Sequence, residues 1–556
     1  MTVNISGIVW RQVARLWEKC QYKHVRNAER EHWHAHCERG IGEVRVTSLV
    51  LRGALVMQDG QSAFRPDPCD MLIEDQRIRA IAPVGTLSSI AQEIDARGLI
   101  ATPGLINGHL HSWDHFIKGR AENLPMELVM AHLRPALPLP LTERDIYLRT
   151  MMTALECLRT GATTVVDDLS LGQNFDRRHV DAALQAYQDA GVRAYVGFSM
   201  IDKPVVDSWP FVEESFAVEV LRTLRSLPRP RGEELLGLVR ELTLTHHPSS
   251  SRVGVLVAPS APQRCTDSFL RSCRELADEL DLPIMVHVLE TRLQVVTAQI
   301  FWGCSMVEHL RALDFLGPKT ALIHGVWLSP RDRELIAEAG ATVQYNPWSN
   351  AAVGSGIADF RALRDAGINV AMGSDGCGVT FNCSMLLALK FGAGLGRVRT
   401  ADHRRWPTAD EIWEAATRGG ARALGREAEL GRLAPGCKAD IVLYRLSSIG
   451  LVPLNSPVRQ LVHAECGSGI DTIVIDGEIV MRSGKFTRVD EDALIAQFQA
   501  AHADLLESIA ASEAASEALL AGLGRIYRRS LSVAIPEDVT RGVVDAPTTA
   551  TEAIAL

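Results

Sequence analysis

Two histidines stand two positions apart at the end of an apolar stretch, a spacing that suits metal binding. The stretch Leu99–Lys118 reads LIATPGLINGHLHSWDHFIK and contains His109 and His111. Residues two apart on a β-strand share a face, so both imidazoles can point the same way. Imidazole nitrogens are common metal ligands, and a pair fixed by one strand supplies half of a site. The same pair is also compatible with the polar start of a loop.

More polar side chains follow three later apolar segments. The segment Leu282–Val286 is followed by His287, with Glu290 three residues further on, and two later segments end in His324 and Asp375. A single histidine in such a place is more often structural. Four histidines, one aspartate and one glutamate at predicted strand ends favour one shared site, because a barrel keeps its active site at the carboxyl ends of its strands.

The elements that must position these residues alternate between short apolar strands and helical stretches, which is typical of a parallel sheet with crossover helices. One predicted strand leads into His109, and seven more follow it: Thr163–Asp168, Ala194–Phe198, Val253–Pro259, Ile284–His287, Ala321–His324, Thr342–Tyr345 and Asn369–Ser374. Eight strands close a (β/α)8 barrel, so we expect an α/β fold of that TIM-like kind. The segment Asp202–Arg252 is too long for a simple connection and is predicted to be an insertion.

Short strands with turn residues flank the predicted barrel on both sides. Residues 44–98 and 430–487 are expected to form one composite β-sandwich domain, with the barrel at 99–429 between them. Residues 488–556 are expected to form a C-terminal helix at Glu491–Leu523 and a tail after Ser532 without periodicity. Residues 1–43 are an N-terminal extension.

The N-terminal extension contains three alternating histidines, His32, His34 and His36, which could be a metal tract. The triplet His36-Cys37-Glu38 matches the H-x-E of cytidine-type zinc deaminases, but the P-C-x-x-C motif that those enzymes also need is absent from the chain. A solvated extension is the simpler interpretation.

Composition excludes several classes of function. The 556 residues are 47% hydrophobic and 22% charged, which is ordinary for a globular protein. A net charge of -9 argues against nucleic acid or an anionic membrane as the main partner, and no apolar run approaches a membrane span. Eleven cysteines occur singly, which indicates a reducing compartment. Because no secretory signal pattern is present, we expect a cytoplasmic protein.

Five separated blocks of sequence resemble the amidohydrolase superfamily. They are PGLINGHLH at residues 103–111, HVLET at 287–291, IHGVWLS at 323–329, NPWSN at 346–350 and GSDG at 373–376. They occur in the order found in that family, and the resemblance covers residues 44–490. The most similar group holds cytosine, guanine and S-adenosylhomocysteine deaminases and the triazine hydrolases.

The resemblance implies a metal centre. His109, His111, His287 and Asp375 would bind one divalent metal ion per chain, Zn2+ or Fe2+, since three imidazoles and a carboxylate suit either ion. That ion would lower the pKa of a bound water and supply hydroxide near neutral pH. Binuclear relatives use a carboxylated lysine at the end of strand four, where Val253–Ser260 contains no lysine, so one metal is expected.

The resemblance also implies a reaction. Hydroxide would attack the amidine-like C=N carbon of an amino-substituted N-heterocycle, and ammonia would leave. Asp375 would take up the proton of the attacking water, and His324 would orient the water or stabilise the developing oxyanion. Glu290 would protonate a ring nitrogen of the substrate and later pass a proton to the departing amine.

Departures from the family pattern fall on the substrate side. Relatives often have histidine where this chain has Ser260 and Tyr345. In that family these positions lie toward the substrate, so the departures affect the expected substrate and leave the expected metal chemistry unchanged. For Trp113 and Trp327 core packing is an equal alternative, and His115 is expected to be an ordinary loop or surface residue. The side chains expected to contact substrate are Trp113, Gln263, Glu290 and His324, with Trp327 and Cys377 as further candidates to line the pocket.

Two alternatives to a deaminase stay open. The same metal centre could open a cyclic amide or displace another leaving group, such as halide. A catalytically silent barrel used as a scaffold usually loses metal ligands, whereas every expected ligand is present here. We expect a small-molecule substrate, no nucleic acid or membrane partner and, by resemblance, a homo-oligomer.

Overall fold

The computed structural model describes residues 48–58, 66–87, 92–135, 137–172 and 175–539. The N-terminal extension with its three histidines lies outside these residues, as does the tail beyond residue 539. The strands are β1 (Leu49–Val56), β2 (Pro68–Glu74), β3 (Arg77–Pro83), β4 (Gln92–Asp95), β5 (Leu99–Pro103), β6 (Leu105–Leu110), β7 (Ala162–Leu169), β8 (Arg193–Phe198), β9 (Val253–Val255), β10 (Ile284–Val288), β11 (Thr320–His324), β12 (Thr342–Tyr345), β13 (Asn369–Met372), β14 (Ile441–Arg445), β15 (Ile470–Ile475), β16 (Glu478–Arg482) and β17 (Lys485–Phe486).

Helices separate most of the strands. They are α1 (Met126–Leu133), α2 (Glu143–Arg159), α3 (Arg177–Ala190), α4 (Val212–Ser215), α5 (Val218–Ser226), α6 (Gly232–His246), α7 (Asp267–Glu279), α8 (Arg292–Trp302), α9 (Met306–Ala312), α10 (Pro330–Glu338), α11 (Pro347–Ala352), α12 (Phe360–Asp365), α13 (Cys377–Thr380), α14 (Met385–Val398), α15 (Ala409–Glu414), α16 (Gly420–Ala423), α17 (Pro457–His463) and α18 (Glu491–Ser532). None of those in the described ranges is both long and apolar enough to cross a bilayer.

The fold is mixed α/β, and its eight central strands lie in two parallel sheets. One sheet has the order β6-β7-β8-β9 and the other β10-β11-β12-β13. An isolated parallel bridge joins Val257 to Ile284, between the two sheets. At the opposite side, the backbone N–H of Asp375 donates to the carbonyl of His109 at 2.9 Å. The central strands are almost wholly buried, as expected when helices cover a parallel sheet.

The fourth central strand, β9, is shorter than predicted. It was expected to run from Val253 to Pro259 but ends at Val255. Beyond that point only isolated bridges continue the pairing, from Val257 to Ile284 and from Pro259 to Met200. The apolar run continues past the strand because these residues stay buried between neighbouring strands.

The apolar run that leads into His109 divides into two strands. Leu99–Pro103 pairs with β1 and β14, whereas Leu105–Leu110 pairs with β7 in a different sheet. The change of sheet falls at Gly104, where a Cβ atom would lie 2.0 Å from Thr163 Oγ1. Sequence periodicity cannot detect this division, because apolar residues continue on both sides of Pro103-Gly104.

Strands from both ends of the chain form one hydrogen-bonded sheet of nine strands, where the sequence predicted a small β-sandwich. Its order is β17-β16-β15-β14-β5-β1-β2-β3, with β4 paired to β1. A buried ion-pair network ties it to the central strands: Arg193 on β8 donates to Asp440 at 2.9 Å and to Asp476 at 2.6 Å. Burial alone would raise the pKa of Asp476, but Arg193, Lys438 and Arg252 bring it down to about 2.

Candidate active site

Six side chains predicted from sequence come together at the carboxyl ends of the central strands. His109 lies on β6 with His111 just after it, His287 lies on β10, and His324 ends β11. The two carboxyl groups follow strand ends, Asp375 after β13 and Glu290 after β10. Five of the six are buried, and His111 is nearly so.

The imidazoles of the first three histidines form a compact cluster. The ring centroids of His109 lie 4.7 Å from His111 and 4.9 Å from His287. The Oδ1 atom of Asp375 lies 3.4 Å from His111 Nε2 and 3.7 Å from His109 Nε2. The ligand atoms of His109, His111 and His287 all lie within 4.8 Å of one another, as do those of His109, His324 and Asp375.

A divalent metal fits this donor set. Both ring nitrogens of His109 are buried and have no hydrogen-bond partner among the residues that the structure describes, an arrangement that is costly unless another group contacts them. Burial holds the pKa of His109 and of His287 well below the usual range, which leaves neutral imidazoles with free lone pairs. Neutral imidazole and ionised carboxylate are the ligands that divalent zinc and iron accept.

Neighbouring groups fix the orientation of the cluster. His111 Nδ1 and His287 Nδ1 donate to the carbonyls of Asp168 at 2.9 Å and Ser260 at 2.7 Å, which directs each Nε2 into the site. Asp375 Oδ2 accepts from Ser349 Oγ at 2.7 Å. Burial would raise the pKa of Asp375, but His111, whose own pKa is raised, and the hydrogen bond from Ser349 bring it below its usual range, so the carboxylate is ionised.

Two site residues adopt backbone angles that favour glycine. His324 has φ of 76° and Asp375 has φ of 67°, both in the left-handed region. Such conformations are uncommon for non-glycine residues and cluster at functional sites. At Asp375 the backbone is held by the carbonyl of His109, which fixes the turn after the strand.

Glu290 and His324 form a second group beside the cluster. Glu290 Oε2 lies 3.6 Å from His324 Nε2, and His324 Nε2 lies 3.9 Å from Asp375 Oδ2. His324 Nδ1 lies 2.9 Å from Asn350 Oδ1, a contact that orients the ring. Burial raises the pKa of Glu290 although His324 opposes the shift, so this carboxyl can carry a proton closer to neutral pH than a free glutamate.

The other predicted pocket residues are placed less uniformly. The ring of Trp113 lies 5.4 Å from that of His111 and lines a cavity, while it also belongs to the buried core. Gln263 is buried, but the hydrogen bond that it forms within the described ranges is through its backbone carbonyl, which accepts from Lys203 Nζ. Trp327 is a core residue whose Nε1 donates to the carbonyl of Ser355 at 2.9 Å. Cys377 contacts Asp114 and His115 rather than the cluster.

The assignment of His115 to the surface was wrong. Its side chain is buried, with Nδ1 3.1 Å from Thr153 Oγ1 and 3.4 Å from Cys377 Sγ. The short 3-10 helix Ser112–Ile117 turns His115 inward, towards α2. A local turn of this kind leaves no periodic signal in the sequence.

Sequence reasoning found the NPWSN block but gave no role to two of its members. Ser349 donates a hydrogen bond to Asp375, and Asn350 contacts the ring of His324. The block therefore orients one residue of the histidine–aspartate cluster and one of the Glu290–His324 pair. Arg134 and Arg264, which flank Trp113 and Ser260, were also missed. The NPWSN block was the available signal for Ser349 and Asn350, whereas Arg134 and Arg264 lie outside all five blocks.

A cavity of about 290 Å³ lies beside Trp113, whose ring is 5.4 Å from that of His111, and none of the six clustered side chains is among the described residues that line it. Trp113, Arg134, Ser199 and Arg264 line its inner side, which is the side nearest to the cluster through Trp113 and Ser260. Residues of the insertion after strand three and of the long helix α18 line its outer side. This helix extends to Ser532, nine residues beyond the predicted end, and Ser512 and Ser516 on it donate to the carbonyls of Leu137 and Ala131.

The chain is similar to known proteins over most of its length. It is 31% identical to a 5-methylthioadenosine/S-adenosylhomocysteine deaminase of Syntrophobacter fumaroxidans over 82% of this chain and 97% of the relative. It is 30% identical to a 5'-deoxyadenosine deaminase of Methanothermobacter thermautotrophicus over 78% of this chain and 94% of the relative.

Solved structures share the fold. A zinc-bound adenosine deaminase from Xanthomonas campestris superposes with a TM-score of 0.72 at 25% identity, over 83% of this chain and 98% of the relative. An atrazine chlorohydrolase from Arthrobacter aurescens TC1, at 22% identity, superposes with a TM-score of 0.73 over 82% of this chain and all of the relative. The sequence model of the amidohydrolase family matches residues 100–480. The chain therefore belongs to the amidohydrolase family.

Proposed function

We propose that the protein is a metal-dependent hydrolytic deaminase that acts on the amidine-like C=N carbon of an amino-substituted N-heterocycle and releases ammonia. The observation that carries the proposal is the buried Glu290 carboxyl, with a raised pKa, 3.6 Å from His324 at the edge of the histidine cluster. A proton carrier in that place suits a leaving group that must depart as an amine. The relatives at about 30% identity are named as deaminases of adenosine derivatives, which supports an aminopurine-like substrate.

The proposed metal site holds one divalent ion through His109, His111, His287 and Asp375. When bound, the ion is a Lewis acid that makes water nucleophilic near neutral pH. Zinc in the solved adenosine deaminase supports zinc over iron. Strand four and the residues after it, Val253–Ser260, offer no lysine for a second ion.

The proposed proton path uses three side chains. Asp375, ionised and hydrogen-bonded to Ser349, accepts a proton from the attacking water. His324 orients that water and faces its oxygen as the new C–O bond forms. Glu290 donates its proton to the ring nitrogen beside the attacked carbon, takes up the hydroxyl proton of the resulting adduct, and delivers it to the departing amine. The proton that Asp375 accepted then restores the protonated form of Glu290.

We also propose how the parts of the chain are organised. The two parallel sheets are the halves of one (β/α)8 barrel, supported by the Val257–Ile284 bridge and by the hydrogen bond from Asp375 to His109. The nine-stranded sheet and its separate apolar core form the small sandwich domain. The singly placed free cysteines support a cytoplasmic protein, and association of identical chains stays a prediction from the resemblance.

The test of the proposed function is ammonia release by the zinc-loaded full chain. Substrates to compare are adenosine, 5'-deoxyadenosine, 5-methylthioadenosine and S-adenosylhomocysteine, then aminopyrimidines, aminotriazines and cyclic guanidines. We expect release from an aminopurine, and its loss in Asp375→Asn. No ammonia from any compound, with one metal ion per chain confirmed, would contradict deamination.

A further inference from the structure

Two arginines line the inner wall of the cavity without a carboxylate partner. Arg134 Nη2 donates to Ser199 Oγ at 2.7 Å, and Arg264 Nη1 donates to Ser260 Oγ at 3.1 Å. The Nε atoms of both arginines are enclosed and have no hydrogen-bond partner, and neither guanidinium forms an ion pair with any residue that the structure describes. Since buried charges are normally paired, these two groups need an explanation.

The two guanidinium groups lie one side chain away from the histidine cluster. The hydroxyl of Ser199 donates to that of Ser260 at 3.4 Å, so the serines connect Arg134 to Arg264. The carbonyl of Ser260 is the acceptor for His287 Nδ1 at 2.7 Å. On the other side, Arg134 Cζ lies 5.6 Å from the ring of Trp113, which itself neighbours His111.

Positive charge is in excess at this wall. Asp168 is the buried carboxyl group that interacts electrostatically with both arginines. Glu290 also faces Arg264, but its proposed role requires it to carry a proton. Neither arginine lies within ion-pair distance of these two carboxyl groups, and arginine does not lose its proton in proteins, so the positive charge is not matched.

The whole cavity shares this charge. Within the described ranges, the charged residues that line the cavity are six cationic side chains and one carboxylate, that of Glu513, which already pairs with Arg120: Arg120, Arg134, Arg149, Lys203, Arg229, Arg264 and Glu513. Most of the remaining lining is apolar. Such a cavity suits a ligand with an apolar body and a negative charge at its inner end.

We infer that Arg134 and Arg264 bind an anionic oxygen group of the substrate, a carboxylate or a phosphate. The inference rests on the proposed function and narrows its substrate class to amino-substituted N-heterocycles that carry an acid group. Arg134 Nη1 and Arg264 Nη2 are not among the enclosed atoms, so these groups can donate to a ligand in the cavity. Arginine binds carboxylate and phosphate oxygens through such charge-assisted bonds.

The test uses the zinc-loaded full chain and two readouts. Ammonia release is measured for adenosine, adenosine 5'-carboxylate and adenosine 5'-monophosphate. Binding is measured by calorimetry for inosine, inosine 5'-carboxylate and inosine 5'-monophosphate, which have no amine to lose. We expect at least one acid to bind about 100-fold more tightly than inosine, as two charge-assisted hydrogen bonds would give. The preferred acid distinguishes carboxylate from phosphate.

Matched variants locate the effect. Arg134→Gln and Arg264→Gln should each reduce the preference for the acid over the uncharged nucleoside at least tenfold, mainly through KM. The corresponding lysine variants keep the charge and should retain part of the preference, which distinguishes loss of the charge from misfolding. Arg361→Gln, at a partly buried arginine that pairs with Glu411 and does not line the cavity, should leave the preference unchanged.

The outcomes separate the two proposals. Equal binding of inosine and both acids, or a preference that survives both glutamine variants, would overturn the inference even if ammonia is released. Arginine-dependent binding of an acid without ammonia from any adenosine compound would support the inference and contradict the proposed deamination.

Discussion

Replacing Glu290 by glutamine separates proton transfer from every other property of the site. Glutamine has the same shape and can keep the contact with Ser355, whose hydroxyl lies 3.5 Å from Glu290 Oε1. It cannot deliver a proton to the ring nitrogen or to the departing amine. Because Glu290 is not among the proposed metal ligands, the metal content of the variant should stay at one ion per chain.

The expected loss follows from the two proton transfers that Glu290 is proposed to make. General acid–base catalysis by one positioned group contributes roughly 100-fold to 10,000-fold. With two transfers through one carboxyl, we expect kcat to fall about 1,000-fold, which corresponds to about 4 kcal/mol of activation free energy. KM should change little, since the amide occupies the same space. The assay is steady-state ammonia release on the best aminopurine substrate.

The same substitution should stabilise the fold at neutral pH. Burial raises the pKa of Glu290, so the unfolded chain releases this proton at a lower pH than the folded chain does. As the pH rises from the pKa of Glu290 in the unfolded chain to its higher pKa in the folded chain, the wild type therefore loses stability relative to Glu290→Gln. Below that pH range the stability difference between the two proteins no longer changes with pH. Urea denaturation at several pH values measures the difference in the free energy of unfolding.

Glu127→Gln is the matched control. Glu127 on α1 is also buried, its pKa is raised by burial and by the charge of Glu290, and its side chain is hydrogen-bonded to Thr291. Its variant should show the same direction of stability change, while kcat should change far less than in Glu290→Gln, because Glu127 acts on Glu290 only through its charge. If Glu290→Gln retained more than a tenth of the wild-type kcat with its metal in place, Glu290 would not be the proton carrier.

Three further predictions concern the support of the site and of the fold. Ser349→Ala removes the 2.7 Å hydrogen bond to Asp375 and should lower kcat/KM about tenfold, with weaker retention of metal against a chelator. Removal of the metal by a chelator should abolish ammonia release and lower the melting temperature, since a ligand present at about 1,000 times its Kd stabilises the folded protein by about 4 kcal/mol. If added zinc restored neither property, the proposed metal site would be contradicted. Arg193→Met leaves Asp440 and Asp476 without their shared partner. Because removing one member of a buried ion pair leaves an uncompensated charge, the free energy of unfolding measured in urea should fall by about 3 kcal/mol. An unchanged midpoint of urea unfolding would refute this role.

The sequence predicted which polar side chains lie together better than it predicted the boundaries of the strands. His109, His287, His324 and Asp375 could be found because polar residues that end apolar strands all reach the same edge of a parallel sheet. The change of sheet at Gly104 could not be found, since it depends on how closely Thr163 approaches the backbone. Contact between distant segments, which periodicity does not encode, decides such features.

The substrate wall was the part least accessible from sequence. Arg134 lies in a loop after α1 and meets Arg264 only through Ser199 and Ser260, which belong to separate strand ends. An isolated arginine in a loop is usually a solvated surface residue. Only the three-dimensional structure shows that these two have enclosed Nε atoms and that no described carboxylate forms an ion pair with them.

The most direct test of hydrolytic deamination is the origin of the oxygen in the product. The zinc-loaded chain is incubated with its best aminopurine substrate in water enriched in oxygen-18, and both the product and ammonia are quantified. We predict one ammonia for each product molecule, and one oxygen-18 at the carbon that carried the amine. A product formed without ammonia, or ammonia without oxygen-18 at that carbon, would contradict the proposed reaction.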